Sequence, residues 1–370
     1  MKIASRMAKI DSSGIRKVFD LAAKLENPTN LSIGQPDYDV PEAVKEAAIA
    51  AIRTGKNSYT PTQGTPALRD KVKKYLEANR GGWTGEELLI TSGTSGGIML
   101  ALLVTVEPGD EVIIPDPYFV MYKHLVNLCG GTPVFVDTYP DFKLSADRLA
   151  AAITPKTKLV LFNSPNNPTG AVYTAKELAA LAAVLDKHKV YAVSDEIYEF
   201  FCYDGTFQSL VSHYPERTLL LGGFSKTWSM TGWRLGYAAG PADIVREMTK
   251  LQQFSFVCAP SMVQEGGIAA LDVDPAPYRD AYRRKRDMIY EGLSKSFEVT
   301  KPGGAFYIFP KVPWGDDQSF VKRAIQKGLL IIPGSVFSEK HTHFRISYAQ
   351  DDKVVRKGID LLCALAAAGE

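Results

Sequence analysis

Gly222-Gly223-Phe224-Ser225-Lys226-Thr227-Trp228-Ser229-Met230-Thr231-Gly232-Trp233-Arg234 is the stretch on which the reading of this chain turns. Apolar runs at 219–221 and 235–238 flank it, so it spans the gap between two short strands. One lysine stands among small residues just past the first strand, and an arginine follows eight positions later. A lysine amine is nucleophilic only when deprotonated, a state that burial or a neighbouring cation makes accessible near neutral pH. The pair reads as a buried amine beside an anion clamp.

Outward from this stretch, short apolar runs recur at 88–91, 112–115, 134–136, 159–162 and 191–194. Amphipathic helical patterns, such as 175–187 and 242–254, lie between several of them. This alternation predicts an α/β large domain, residues 29–277, with a mostly parallel seven-stranded sheet flanked by helices. Ligands of such sheets sit beyond the carboxyl ends of the strands. After Pro275-Ala276-Pro277 the texture changes. A charged helix at 278–296, strands at 306–309, 330–332 and 343–348, a helix at 319–327 and a closing helix predict a smaller α+β domain. It spans 278–370 and is completed by the N-terminal arm, 1–28.

The 370 residues are 45% hydrophobic and 23% charged, the texture of an ordinary globular protein. With 43 basic and 41 acidic residues the formal charge is +2, which removes any general attraction to nucleic acid or to an anionic membrane. The basic start is followed by Asp11-Ser12-Ser13-Gly14 rather than an apolar run, unlike a signal peptide. The longest apolar stretch, 98–106, is too short for a membrane span. A soluble, cytoplasmic protein is expected, with Cys129, Cys202, Cys258 and Cys363 as buried reduced thiols. The basic run Arg283-Arg284-Lys285-Arg286 is expected on the solvated face of its helix, opposite a stripe of Tyr278, Tyr282, Ile289 and Leu293. His341 and His343 have no third metal ligand at suitable spacing and are expected at the surface.

Four strand exits carry chemistry-bearing residues. Thr91-Ser92-Gly93-Thr94-Ser95-Gly96-Gly97 leads from a strand into an apolar helix, where backbone N–H groups and hydroxyls suit a phosphate. Its Gly93–Gly97 portion also matches the G-x-S-x-G nucleophile elbow, which would make Ser95 the nucleophile of a serine hydrolase, with Asp195 and His213 or His341 as partners. In Asn163-Ser164-Pro165-Asn166-Asn167-Pro168-Thr169-Gly170 the prolines and glycine account for a rigid turn, while the Asn167 amide is free to donate. In Ser194-Asp195-Glu196-Ile197-Tyr198 a strand-end carboxylate needs a partner, and a protonated ring nitrogen is one. The opening stretch supplies the fourth exit.

This ordered set resembles the class I/II aminotransferases, fold type I pyridoxal-phosphate enzymes. The likeness runs from Gly34-Gln35-Pro36-Asp37, through Tyr59-Thr60-Pro61-Thr62-Gln63-Gly64, Asn167-Pro168-Thr169-Gly170, Ser194–Tyr198 and Ser225-Lys226-Thr227, to Phe344-Arg345-Ile346-Ser347-Tyr348. The resemblance implies pyridoxal 5′-phosphate as cofactor, Lys226 as its Schiff-base lysine and Asp195 as partner of the ring nitrogen. Tyr198 and Asn167 would bond the phenolate oxygen, Phe119 would stack on the ring, and Gly93, Thr94, Ser95, Ser225 and Arg234 would hold the phosphate. Arg345, with Gly34 and Asn167, would receive the substrate, Arg345 gripping the α-carboxylate as a planar fork. Tyr59 would reach the phosphate of a second subunit, so a homodimer is implied. The activity implied is ping-pong transfer of an amino group between an L-amino acid and a 2-oxo acid. Aspartate, aromatic and other neutral donors stay open, 2-oxoglutarate is the expected acceptor, and a carbon-sulfur lyase is the alternative on the same fold. Two positions depart from the pattern: Gly223 stands where many relatives carry a serine, and Phe119 where tryptophan is common.

Overall fold

The computed structural model describes residues 3–11, 14, 25–81 and 87–369. Most of its strands belong to a seven-stranded sheet. In chain order these are β2 (Glu87–Ser92), β3 (Glu111–Asp116), β4 (Thr132–Asp137), β5 (Thr157–Asn163), β6 (Tyr191–Asp195), β7 (Thr218–Gly223) and β8 (Leu235–Gly240). Their spatial order is β2-β8-β7-β6-β5-β3-β4, and only β8 runs antiparallel to its neighbours. The period of two explains the burial on both faces. Leu159, Leu161, Val193, Leu219 and Leu221 pack on one face under the helix Gly93–Thr105. Val160, Phe162 and Ala192 pack on the other, under the helix Ala175–His188.

Each helix begins where its sequence allows it to. Thr174 accepts from the Glu177 N–H while the Glu177 carboxylate accepts from the Thr174 N–H, a reciprocal cap that satisfies two donors otherwise left over at a helix start. The helix Gly93–Thr105, in contrast, starts with no side-chain cap. Its first-turn N–H groups face the exits of the sheet.

A second group of elements packs around Tyr282, Phe306, Phe320, Phe344 and Leu362. It contains a three-stranded antiparallel sheet in the order β11 (Ile332–Pro333), β12 (Phe344–Ser347), β9 (Tyr307–Ile308) and the helices Ala276–Leu293, Asp317–Gln326 and Asp352–Ala368. β10 (Leu329–Leu330) pairs in parallel with β1 (Thr29–Asn30), so the chain enters beside its own C-terminal third. The single strand expected at 330–332 is therefore two, because Ile331 carries the chain from one sheet to the next. Of the N-terminal arm, residues 1, 2, 12, 13 and 15–24 lie outside the described residues. The short 3-10 helix Ser5–Lys9 lies against the helix Met121–Cys129, where the Asn127 amide reaches the Lys9 carbonyl at 3.4 Å.

Three surface expectations need correction. Arg286 is 1% exposed and pairs with Asp204 at 2.7 Å, because it falls four residues after Tyr282 and three before Ile289, on the buried stripe itself. His343 is buried against Phe309, Tyr139 and Phe142, and burial pulls its imidazole down to about 4. Of the four free cysteines only Cys202 is buried. Among the described residues no helix is long and apolar enough to cross a membrane, and no cluster of metal-binding side chains occurs.

Candidate active site

The site forms where the strand order turns back on itself. β3 and β5 are neighbours, yet β4 lies outward of β3 on one side and β6 and β7 outward of β5 on the other. The crevice beyond such a reversal is the usual ligand site of an open parallel sheet. Here the exits of β5, β6 and β7 and the start of the helix Gly93–Thr105 surround a cavity of about 270 Å³. β12 of the second group closes it with Arg345. Gly34, Thr94, Ser95, Phe119, Asn167, Asp195, Tyr198, Ser225, Lys226, Arg234 and Arg345 all line it.

Lys226 follows β7 by three residues and is half-buried, lining the cavity. The Nζ donates to the Gly34 carbonyl at 2.7 Å and stands 5.6 Å from the centre of the Tyr198 ring. Burial, then the Arg345 and Arg234 guanidinium groups, draw its pKa down from 10.5 to about 8, against an opposing pull from Asp195. A substantial fraction of the amine is therefore neutral near physiological pH. The backbone here is held by Tyr38, whose hydroxyl lies 3.0 Å from the Lys226 carbonyl and 2.8 Å from that of Thr227.

Asp195 ends β6 and is 5% exposed. Its Oδ2 accepts from the Tyr122 hydroxyl at 2.8 Å and its Oδ1 from the Ile197 N–H at 3.2 Å. Burial raises the carboxyl to about 6; both hydrogen bonds and Lys226 oppose this, while Glu196 adds to it. A carboxylate so placed gains most from a cationic partner inside the cavity. Glu196 turns to the opposite side and forms a buried cluster with Arg80 (2.9 Å), Ser194 and Ser209, and Arg80 also pairs with Glu199.

The anion end is built from backbone. Gly93 opens its helix at φ +67°, and a Cβ there would lie 2.5 Å from Arg234 Nη2, so the guanidinium rests directly on the first turn. Arg234 itself takes a left-handed conformation, φ +55°, and its Nη1 donates to the Thr231 carbonyl at 3.1 Å. First-turn N–H groups, the Ser95 and Ser225 hydroxyls and one guanidinium make a donor-rich cradle suited to a phosphate. The Thr94 hydroxyl is already spent, since it donates to the Gly222 carbonyl at 3.2 Å. This accounts for Gly223: a Cβ there would meet Thr94 Oγ1 at 2.8 Å and Ile197 Cδ1 at 3.1 Å.

At the other end Arg345 is 1% exposed, and burial holds it below its usual range, although a guanidinium stays charged. Nη1 donates to Asn167 Oδ1 at 3.0 Å and Nη2 to the Ser32 carbonyl at 2.9 Å, while the buried Nε has no partner among the described residues. Arg345 lines the cavity as a cation placed to meet an incoming carboxylate. Phe119 lines the wall and meets Tyr122 edge-on.

Two anticipated residues stand apart from the lining. Gly93 lies just behind it, and Tyr59 is 86% exposed, away from the cavity of its own chain. Tyr122 and Tyr307 were not anticipated, because each sits in an apolar run that reads as core. The serine-hydrolase reading fails on assembly: no histidine lines the cavity, and Asp195 is engaged by Tyr122.

A family model described as aminotransferase class I and II matches residues 26–362. The chain belongs to the class I and II aminotransferases. It is 37% identical to a probable aspartate aminotransferase of Methanocaldococcus jannaschii, over 97% of this chain and 98% of that one. An aromatic-amino-acid aminotransferase of Thermococcus litoralis is 36% identical over 97% of both. The solved structure of Thermus thermophilus aspartate aminotransferase with maleate superimposes with a TM-score of 0.95 at 35% identity, covering 99% of this chain and 100% of that one. The α/β architecture is thus that of aspartate aminotransferase, and the protein is an aminotransferase.

Proposed function

We propose that this aminotransferase uses pyridoxal 5′-phosphate to move an amino group between an L-amino acid and a 2-oxo acid, in two half-reactions at one site. The observation that carries this is a half-buried amine, Lys226, lowered to about 8 and sharing one cavity with Asp195, Arg234 and Arg345. The donor set fits the cofactor at both ends: a donor-rich cradle for its phosphate at Gly93–Ser95, Ser225 and Arg234, and a buried carboxylate for its ring nitrogen at Asp195. Phe119 and Ile197 would cover the ring faces, and Tyr198 and Asn167 would bond its phenolate oxygen. When bound, the cofactor supplies a carbonyl carbon and an electron-accepting ring.

The chain's own groups do the rest. Arg345 binds the α-carboxylate of the amino acid and so turns Cα toward Lys226. The neutral Lys226 amine takes the proton from Cα as general base. Asp195 remains ionised beside a cationic partner and keeps that charge in place. The Gly34 carbonyl accepts from the amine until it is needed, and the lack of a side chain there leaves room for the Tyr307 hydroxyl.

The comparisons include relatives named for aspartate and for aromatic donors at nearly equal identity, so the side-chain preference is the finer part of the proposal: a neutral or dicarboxylic L-amino acid, with 2-oxoglutarate as acceptor. We further read the protein as a cytoplasmic homodimer to which the exposed Tyr59 contributes across the interface. Its domain units are taken as 29–277 and 278–370, the latter with the arm 1–28. The decisive experiment is a half-reaction screen of the purified holoenzyme. An absorbance band above the protein peak should shift with an amino acid and return with a 2-oxo acid, and Lys226→Ala should abolish the shift. Release of a sulfur nucleophile without oxo-acid dependence would instead favour the carbon-sulfur lyase.

A further inference from the structure

Tyr307 meets three groups of the cavity. Its hydroxyl lies 2.9 Å from that of Tyr198. Its ring lies 4.6 Å from Arg345 Cζ, and the Phe337 ring lies 4.5 Å from the same carbon. Against Gly34, whose carbonyl accepts the Lys226 amine, the hydroxyl sits so close that an added Cβ would fall 2.5 Å from it. The placement follows from strand pairing: Tyr307 in β9 faces Ser347 in β12, and Arg345 is two residues before Ser347, the diagonal neighbour on the same face. Tyr307 is 1% exposed and its partner Tyr198 is nearly as deep.

We propose that Tyr307 is a positioning residue that links the cofactor side of the cavity to the substrate side, its hydroxyl donating to Tyr198 while its ring face holds the Arg345 fork. This rests on the pyridoxal-phosphate reading of the site. A phenol has one proton. If Tyr198 gave its proton to Tyr307, none would remain for an acceptor in the cavity, so a Tyr198 that serves the cofactor's phenolate oxygen requires Tyr307 as donor. A hydroxyl that accepts one hydrogen bond becomes a better donor of the next. The ring acts separately. Asn167 and Ser32 fix the edge of the guanidinium, while only flat contacts fix its plane, and desolvated cation-aromatic contacts are the stronger ones.

The two roles separate by substitution. Tyr307→Phe keeps the ring and removes the hydroxyl. Weaker donation from Tyr198 destabilises the deprotonated form of the bound chromophore, so the pH midpoint of the holoenzyme's absorbance band should rise by roughly half a unit. The KM for the amino acid should stay within about twofold, because the ring face remains. In a Tyr198→Phe background the same change should move the midpoint no further. Tyr307→Leu, which lacks the ring, should raise KM for amino acid and oxo acid alike by roughly tenfold. Retention of the band in Tyr307→Phe reports a folded protein, so the hydroxyl's role is decided even if the leucine variant collapses. A midpoint unmoved by Tyr307→Phe, or moved equally without Tyr198, overturns the link to Tyr198. An unchanged KM in Tyr307→Leu overturns the hold on Arg345. A wild-type protein with no such band refutes the cofactor reading, and the role of Tyr307 with it.

Discussion

Replacing Arg345 with glutamine tests the electrostatics of the site without touching the reacting amine. Lys226 is drawn from 10.5 to about 8, a displacement caused first by burial and then by Arg345 and Arg234, with Asp195 pulling the other way. Glutamine keeps a donor near Asn167 and the Ser32 carbonyl and leaves the burial of Lys226 intact, but removes one of the two repelling charges. Since burial is the larger cause and persists, the amine should recover only about one unit, equivalent to about 1.4 kcal/mol. The sign is fixed: losing a nearby cation favours the ammonium form, so the midpoint rises toward 9. The assay is the rate at which the cofactor-free protein captures added pyridoxal phosphate as a function of pH, because only the neutral amine reacts. Arg234→Gln should move the same midpoint less. A midpoint that stays near 8, or falls, in Arg345→Gln would show that burial alone sets the amine's acidity and that Arg345 is too well screened to matter.

Asp195, raised to about 6 by burial, opposes folding of the cofactor-free protein wherever it must ionise. A group whose folded pKa exceeds its unfolded value of about 3.8 favours the fold below that value and loses this contribution as pH rises through 6. Asp195→Asn should therefore stabilise the cofactor-free protein by about 1–2 kcal/mol in a melt at pH 8 but hardly at pH 3.5, one hydrogen bond being lost in exchange. Its affinity for the cofactor should fall. Gly223→Ser crowds Thr94 and Ile197 and should cost about 1–3 kcal/mol in denaturant unfolding, with partial relief when Thr94→Ala is added. Arg80→Met would strand the buried Glu196 and Glu199 carboxylates and lower stability by about 3–5 kcal/mol, whereas Arg286→Met should cost less, because its partner Asp204 is 62% exposed. Equal losses in the two variants would contradict the reasoning from burial.

The strand exits were legible because a parallel sheet buried on both faces writes itself as short apolar runs, and whatever polar residue ends such a run has nowhere to go but the ligand crevice. Asp195, Asn167, Lys226 and Arg234 are readable on that ground, and the likeness in their order reaches Arg345. Tyr122 and Tyr307 were not, since an aromatic in an apolar run looks the same whether its hydroxyl faces a wall or a carboxylate. Their partners lie 73 and 109 residues away in the chain. Thr94 shows the same limit in reverse: a hydroxyl that reads as a phosphate donor is consumed by the Gly222 carbonyl. Arg286 shows it for charge, because a four-residue basic run on a helix necessarily sends one member to the buried side.

Periodicity, punctuation by glycine and proline, and the order of strand-end residues are properties of neighbouring positions, so the sequence alone determined the α/β class, the seven strands and the lysine on which the chemistry depends. Acidity, orientation and occupancy of hydrogen bonds depend on what approaches from afar. Only the tertiary structure decided that Lys226 shares its cavity with two guanidinium groups, that Tyr122 holds Asp195, and that Tyr307 stands between Tyr198 and Arg345.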